Sequence, residues 1–110
     1  MTVNEVARAL NAQVLTGDGE REVTGVYACD LLSWVISHAE PGALWVTVMN
    51  NVNILAVASL TDVACVVVSE DSPVDPDLIK RAEAKEICLV ASDLGTATIV
   101  WKTALLLGKK

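Results

Sequence analysis

Apolar and polar residues alternate along this chain in two rhythms, one with the period of a helix and one with that of a strand. Val3, Val6, Ala7 and Leu10 recur at helical spacing and predict a short amphipathic helix from Val3 to Asn11. Thr2 and Glu5 stand three apart at its start, the spacing of a capping box. Ala12 to Leu15 reads as a strand, and Thr16-Gly17-Asp18-Gly19-Glu20 as a turn. Val23 to Ala28 is a second strand interrupted by Gly25, and a glycine there suggests a bulge or a close backbone approach. Asp30 is placed to cap a helix that reaches His38, and Pro41-Gly42 ends that segment.

From Ala43 onward strands and helices alternate regularly. Ala43 to Val48 is a nearly continuous apolar run of strand length, followed by a helix from Val52 to Leu60. Ala64 to Val68 is a strand, Asp77 to Lys85 a helix preceded by Pro73 and Pro76, and Ile87 to Ala91 a strand. A last helix runs from Asp93 to Leu107 with Ser92 as its cap. Strands apolar on both faces and interleaved with helices predict an α/β layered fold. Its sheet is mostly parallel, with helices on both faces. One domain spanning residues 1–110 is expected, without internal repeat or linker.

Composition narrows the function classes. Of 110 residues 53% are apolar, and 8 Lys+Arg against 14 Asp+Glu give a formal charge of −6. No basic patch is dense enough to grip a phosphate backbone, and 4% aromatics leave no stacking platform, so no nucleic-acid partner is expected. No apolar run approaches the ~18 residues of a membrane span. Without a basic, apolar leader, the cytoplasm is the expected compartment. Cys29, Cys65 and Cys88 are odd in number and widely spaced, which fits that compartment. Cys65 and Cys88 read as small buried hydrophobes, whereas Cys29, beside a strand end, leaves a redox-sensitive thiol open.

Catalytic patterns are mostly missing. His38 is the only histidine, and it stands four residues after Trp34, the spacing of a helical packing pair. No phosphate-binding glycine loop follows a strand, and no pair of acids falls at general acid–base spacing. No catalytic residue, metal site or cofactor is therefore assigned. In open α/β sheets ligands collect beyond the carboxyl ends of the strands, near a switch in strand order. Four segments supply those ends: Cys29–Ser33, Met49–Asn53, Ser69–Ser72 and Ser92–Thr96. Asp30, Asn51 and Ser92 can each be explained as helix caps, and Glu70 and Asp71 as a solvated loop. Asn50, Asn51 and Asn53 together exceed what one cap needs, and amides that donate and accept suit a neutral polar ligand or another chain's backbone.

The stretch Glu20-Arg21-Glu22-Val23-Thr24-Gly25-Val26-Tyr27-Ala28-Cys29-Asp30-Leu31-Leu32-Ser33 resembles the DRTGG domain family. The likeness continues through Leu44–Val48 and Asn51–Ala58. Arg21, Gly25, Asp30 and the Leu-Leu-Ser that follows carry it, with Val26 where the family's name has a second glycine. The family is similar to the N-terminal domain of HPr kinase/phosphorylase, so the resemblance implies that fold. It also implies a non-catalytic regulatory or ligand-sensing module that tends to dimerise, and a nucleotide or phosphorylated metabolite as ligand. The expected ligand-binding residues are Arg21, Gly25, Asp30 and Ser33 from the resemblance, and Asn50, Asn51, Asn53 and Ser92 from the strand-end segments.

Self-association is also expected from the residues. In the last helix Leu94, Ala97, Thr98, Trp101 and Leu105 form one stripe, taken as inward, and Ile99, Val100, Leu106 and Leu107 are left over. In the helix ending at His38, Leu32, Val35, Ile36 and Ala39 make one face while Leu31, Trp34 and His38 line another. Second apolar faces on two helices point to a homodimer with Trp34, His38 and Trp101 at its interface. The alternative is a subunit that docks on a partner enzyme through the same faces without a small ligand.

Overall fold

A computed structural model describes residues 1–108. Its elements follow one another as α1 (Val3–Leu10), β1 (Gln13–Val14), β2 (Gly25–Ala28), α2 (Leu32–His38), β3 (Ala43–Thr47), α3 (Asn53–Thr61), β4 (Cys65–Val68), α4 (Pro76–Ala84), β5 (Leu89–Ala91) and α5 (Thr96–Leu106). The sheet is ordered β1-β5-β4-β3-β2, parallel except where β1 pairs antiparallel with β5. The α/β fold with a mostly parallel sheet is thus the one the alternation predicts.

Each strand divides its side chains between two cores. Trp45, Val66, Val68 and Leu89 face α2, α3 and α4, where they meet Val35, Ile54, Leu55, Leu78 and Ala82. Leu44, Val46, Cys65, Val67 and Val90 face the other way, onto Val3, Val6, Ala7 and Leu10 of α1 and Ile99 of α5. This division explains the continuous apolar runs, because both faces of the central strands are out of water. Fully burying each such side chain is worth about 1.5–3 kcal/mol. Trp45 is fully buried, and its indole N–H donates to the Cys29 carbonyl at 3.0 Å, so its one polar atom is satisfied.

Strand order explains the helix layers. From β2 to β5 the chain advances one strand at a time in one direction. Crossovers of one hand therefore put α2, α3 and α4 on the same face. The other face is left to the first and last helices. The order never reverses along this run, so the expected crevice at a switch point does not form.

Several local expectations are corrected. The capping box at α1 is present, with Thr2 and Glu5 bonding each other's backbone N–H. The cap of α2 is Leu31 and not Asp30, and no side chain bonds there. The cap of α5 is Gly95 and not Ser92. No close approach requires Gly25: a Cβ added there meets nothing within 4 Å, and the ladder with β3 runs on from Gly25 to Ala28. The glycine the backbone needs is Gly42, at φ +83, where a Cβ would lie 2.6 Å from the Thr24 hydroxyl. On α5 the expected stripe points outward: Ile99 and Thr103 are buried, whereas Trp101 is 54% and Leu105 63% exposed. On α2 the inward row is Leu32, Val35 and Ala39, with Ile36 outside it.

Gly25→Ala is therefore expected to leave stability unchanged or raise it by up to about 1 kcal/mol, by restricting the unfolded chain. Gly42→Ala should lower it by about 1–3 kcal/mol, from the left-handed φ and the crowded Cβ. Urea unfolding midpoints of the two variants check the contrast.

Candidate functional site

The carboxyl ends of β2–β5 open onto four loops that bond to one another. Asp30, just after β2, accepts from the Thr47 hydroxyl at 2.7 Å and from the Val48 N–H at 3.0 Å through one carboxylate oxygen. Thr47 Oγ1 in turn accepts from the Met49 N–H at 3.1 Å. Asp30 therefore ties β2 to the exit of β3, in place of the helix cap expected of it. Asn50 reaches across to the next loop, donating to the Pro73 carbonyl at 2.8 Å and to the Ser72 hydroxyl at 3.3 Å. Ser72 donates back to the Val48 carbonyl.

The same stitching continues on the far side of β4. The Ser69 side chain is buried, 2.6 Å from the Thr96 hydroxyl and 3.4 Å from the Thr47 carbonyl. Glu70 and Asp71 both take left-handed φ values, 60° and 55°. The turn they make sends the Glu70 N–H to the Leu94 carbonyl and the Asp71 N–H to the Ser92 carbonyl. The Glu70 carboxylate accepts from the Thr96 N–H at 2.9 Å, so the first turn of α5 is capped by a side chain 26 residues away. Glu70 is thus a tertiary cap and not part of a merely solvated loop. Ser92 Oγ accepts from the Leu94 N–H and shapes the turn ahead of α5.

Among the eight expected ligand-binding residues, six lie along this rim. Asp30 and Ser33 occupy the start of the α2 segment, and Asn50, Asn51 and Asn53 the adjoining β3–α3 segment. Asn51 accepts from the Asn53 N–H at 2.9 Å, an Asx turn that opens α3. The Asn53 and Ser33 side chains stand exposed. Ser92 is on the same rim but three strand spacings from β2, about 14 Å at ~4.8 Å each. Arg21 and Gly25 are not brought to these residues. Gly25 opens β2 at the opposite rim, and Arg21 donates to the Asp62 carboxylate and to the Asp62 carbonyl, both at 2.8 Å, ahead of β4. Each member of that ion pair favours the other's charged form: the hydrogen bond from Arg21 lowers the Asp62 pKa, and Asp62 raises that of Arg21.

The opposite rim holds the larger hollow, a cleft of about 780 Å³ between the Gly17–Gly19 turn and the loop after α4. Asp18, Asp62, Glu83 and Glu86 line it against Arg21 and Lys85, a balance that disfavours an anion. Cys88 also lines it, and burial together with nearby Asp18 pushes that thiol up to about 11. Burial holds the Cys65 thiol well above its ordinary value. Both stay protonated at neutral pH. Cys65 is the buried hydrophobe expected; Cys88 sits half-buried just ahead of β5. Cys29 is partly exposed at the end of β2. His38 stacks on Trp34 with ring centroids 4.2 Å apart, and its Nδ1–H donates to the Trp34 carbonyl. No group of three or more His, Cys, Asp or Glu among the described residues is arranged to hold a metal ion. No helix among them is long and apolar enough to cross a membrane.

Sequence reasoning missed Thr47, and it named the segments that hold Ser69, Glu70 and Thr96 without foreseeing the bonds these three make. One signal was available for Thr47 and Ser69. Each central strand passes from an apolar run to a hydroxyl residue: Thr47 after Val46, Ser69 after Val68, Ser92 after Ala91.

Comparison with known proteins gives the following. A family model described as the DRTGG domain matches residues 5–106. No curated protein matches. One solved structure holds the CBS and DRTGG domains of the regulatory region of Clostridium perfringens pyrophosphatase, complexed with the activator diadenosine tetraphosphate. It shares the fold with a TM-score of 0.73 at 15% identity, over 96% of this chain and 46% of that one. The present chain thus spans less than half the length of that relative.

Asp30→Ala should cost about 1–3 kcal/mol, because it strips the acceptor from a buried threonine hydroxyl and from the Val48 N–H. Asp30→Asn keeps an acceptor oxygen and should cost less than half as much. Paired denaturant titrations check the order of the two variants.

Proposed function

The chain belongs to the DRTGG domain family, and on that premise we propose that it is a non-catalytic regulatory module that works as a homodimer in the cytoplasm. Its ligand is a nucleotide or phosphorylated metabolite, held between the Asp30–Ser33 and Asn50–Asn53 segments. The observation that carries this reading is the shared fold with a pyrophosphatase regulatory region that was crystallised with a nucleotide activator. Two features of this chain support it. The bonded rim presents amides and hydroxyls on adjoining loops without a reactive pair. Asn53 and Ser33 stand exposed beside Asp30, where they can donate to phosphate or base edges. Arg21 and Gly25, on the opposite rim, are not part of this site.

A second reading is favoured by a different observation. Asp30, Asn50, Asn51 and Ser92 already bond within the rim, while Leu31, Trp34 and Trp101 remain exposed. On that reading the chain docks on a partner enzyme and takes no small ligand.

Thermal melts with ATP, ADP, AMP, diadenosine tetraphosphate and inorganic phosphate separate the two. A true ligand at a hundredfold excess over its Kd adds about 2.7 kcal/mol and shifts Tm on the order of 10 °C, growing with concentration. Asn53→Ala and Ser33→Ala should shrink the shift, and Arg21→Ala should not. No shift with any of these compounds, together with co-purification of an enzyme, supports the second reading and contradicts the first.

A further inference from the structure

We propose that Cys65 and Cys88 form a dithiol that a hydroperoxide, entering through the cleft at the opposite rim, oxidises to an intrachain disulfide. The inference goes beyond the regulatory reading above and does not rest on it. It concerns the other end of the sheet and needs no nucleotide.

The register of the sheet sets the two cysteines side by side. Val66 of β4 lies opposite Leu89 of the parallel β5, so Cys65 lies opposite Cys88, one residue earlier on each. The Val66 N–H donates to the Cys88 carbonyl at 2.9 Å, which carries that register to the cysteines themselves. Neighbouring strands stand ~4.8 Å apart, inside the ~4.4–6.8 Å between Cα atoms that a disulfide spans. The side chains also share a face. Val66 and Leu89 both point into the core under α2, α3 and α4, so the residue before each points the other way. There Cys65 belongs to the core under α1 and α5, and Cys88 packs against it. Cys88 also contributes to the raised pKa of Cys65, as a near neighbour does. Cys29 follows β2, two strands from β4 and at the other end of the sheet, beyond the reach of either.

Only one of the pair meets the cleft. Cys65 is 1% exposed, whereas Cys88 is half-buried and lines the cleft of about 780 Å³. Gly17, at φ +80, lets the turn lie directly on Cys88: a Cβ there would stand 3.2 Å from the Cys88 Cα. Asp18, Asp62, Glu83 and Glu86 outnumber Arg21 and Lys85 around this opening. Such a field turns away an anionic oxidant and admits a neutral one. A small uncharged hydroperoxide meets that condition.

The chemistry balances in two steps. The Cys88 thiolate attacks one peroxide oxygen and the O–O bond breaks. Cys88 becomes a sulfenic acid, and the other oxygen leaves as water or an alcohol with the thiol proton. Cys65 then attacks that sulfur, the S–S bond forms, and the hydroxyl leaves as water with the Cys65 proton. Each thiol gives up one electron, and the peroxide takes both.

Burial sets the pace. It pushes the Cys88 thiol up to about 11 and holds Cys65 well above its ordinary value, so thiolate is scarce at neutral pH and the bond forms slowly. A sulfur of high pKa is also a poor leaving group, so the bond once made is slow to reduce. In the reducing cytoplasm proposed above, disulfides are transient and report oxidation rather than staple the fold. The pair is thus a slow latch between β4 and β5.

Mass spectrometry after hydrogen peroxide treatment tests the proposal, on the full chain with Cys29→Ser so that no other thiol reacts. The product should be lighter by about 2 Da, the two thiol hydrogens. It should keep no thiol to alkylate in denaturant, and its peptide map should join Cys65 to Cys88 until dithiothreitol parts them. Adding Cys88→Ser should abolish the link with an unchanged far-UV circular dichroism spectrum. Adding Cys65→Ala should leave a Cys88 sulfenic acid that dimedone traps. If the Cys65→Ala variant unfolds, the half-buried Cys88→Ser decides alone. Thiols that both remain alkylatable, a Cys88 sulfinic acid without a link, or a link between two chains overturns the proposal.

Discussion

The burial of the parallel sheet on both faces is the constraint on which the rest of this structure depends. Trp45, Val66 and Leu89 on one side and Leu44, Val46 and Val67 on the other must all leave water. The stepwise strand order commits α2, α3 and α4 to one face, so the second face falls to α1 and α5. α5 starts beside β5 and packs against β2 and β3. Its length follows from that crossing, whereas its exposed Trp101 and Leu105 do not. The same arrangement leaves β2 as an edge between two helices that still show tryptophan to solvent.

The rim at the carboxyl ends is the second consequence. Four strands that end side by side bring four loops together, and their peptide groups need partners. Asp30, Thr47, Ser69, Ser72, Asn50 and Glu70 supply many of them by bonding across loops. These bonds tie the four loops to one another, an arrangement that fits the regulatory reading proposed above. The backbone strain of the left-handed Glu70–Asp71 pair, about 1–3 kcal/mol for each residue, is offset where both N–H groups and the Glu70 carboxylate find partners.

Much of this was legible in the sequence, and the parts that were not have physical causes. The strands after Ala43 could be read because burial on both faces writes a continuous apolar run. The capping box at Thr2 and Glu5 could be read because it is local. The direction of α5 could not be phased: Val100, Trp101, Leu105 and Leu106 leave no polar stripe, and its buried row includes Thr103, a polar residue whose hydroxyl finds no partner. Asp30 sits one residue ahead of the cap, and its true partners are 17 and 18 residues away. Glu70 bonds a helix 26 residues on, which no local pattern shows. For the candidate site, the segments were found and six of eight residues fall on one rim. Arg21 and Gly25 were included because they carry the family resemblance, yet they precede or open β2 and so lie at the other end of the sheet.

The proposed function places the ligand at the carboxyl-end rim, and not in the acidic cleft beside Asp62 and Lys85. Residue-resolved amide shifts of the isotopically labelled chain, followed through dilution and then through addition of a nucleotide, test it most directly. Dilution should move Leu31 to His38 and the residues around Trp101, and the nucleotide should move Asp30 to Ser33 and Asn51 to Asn53. Shifts confined to Gly17–Gly19, Asp62 and Lys85 in both titrations would contradict the account.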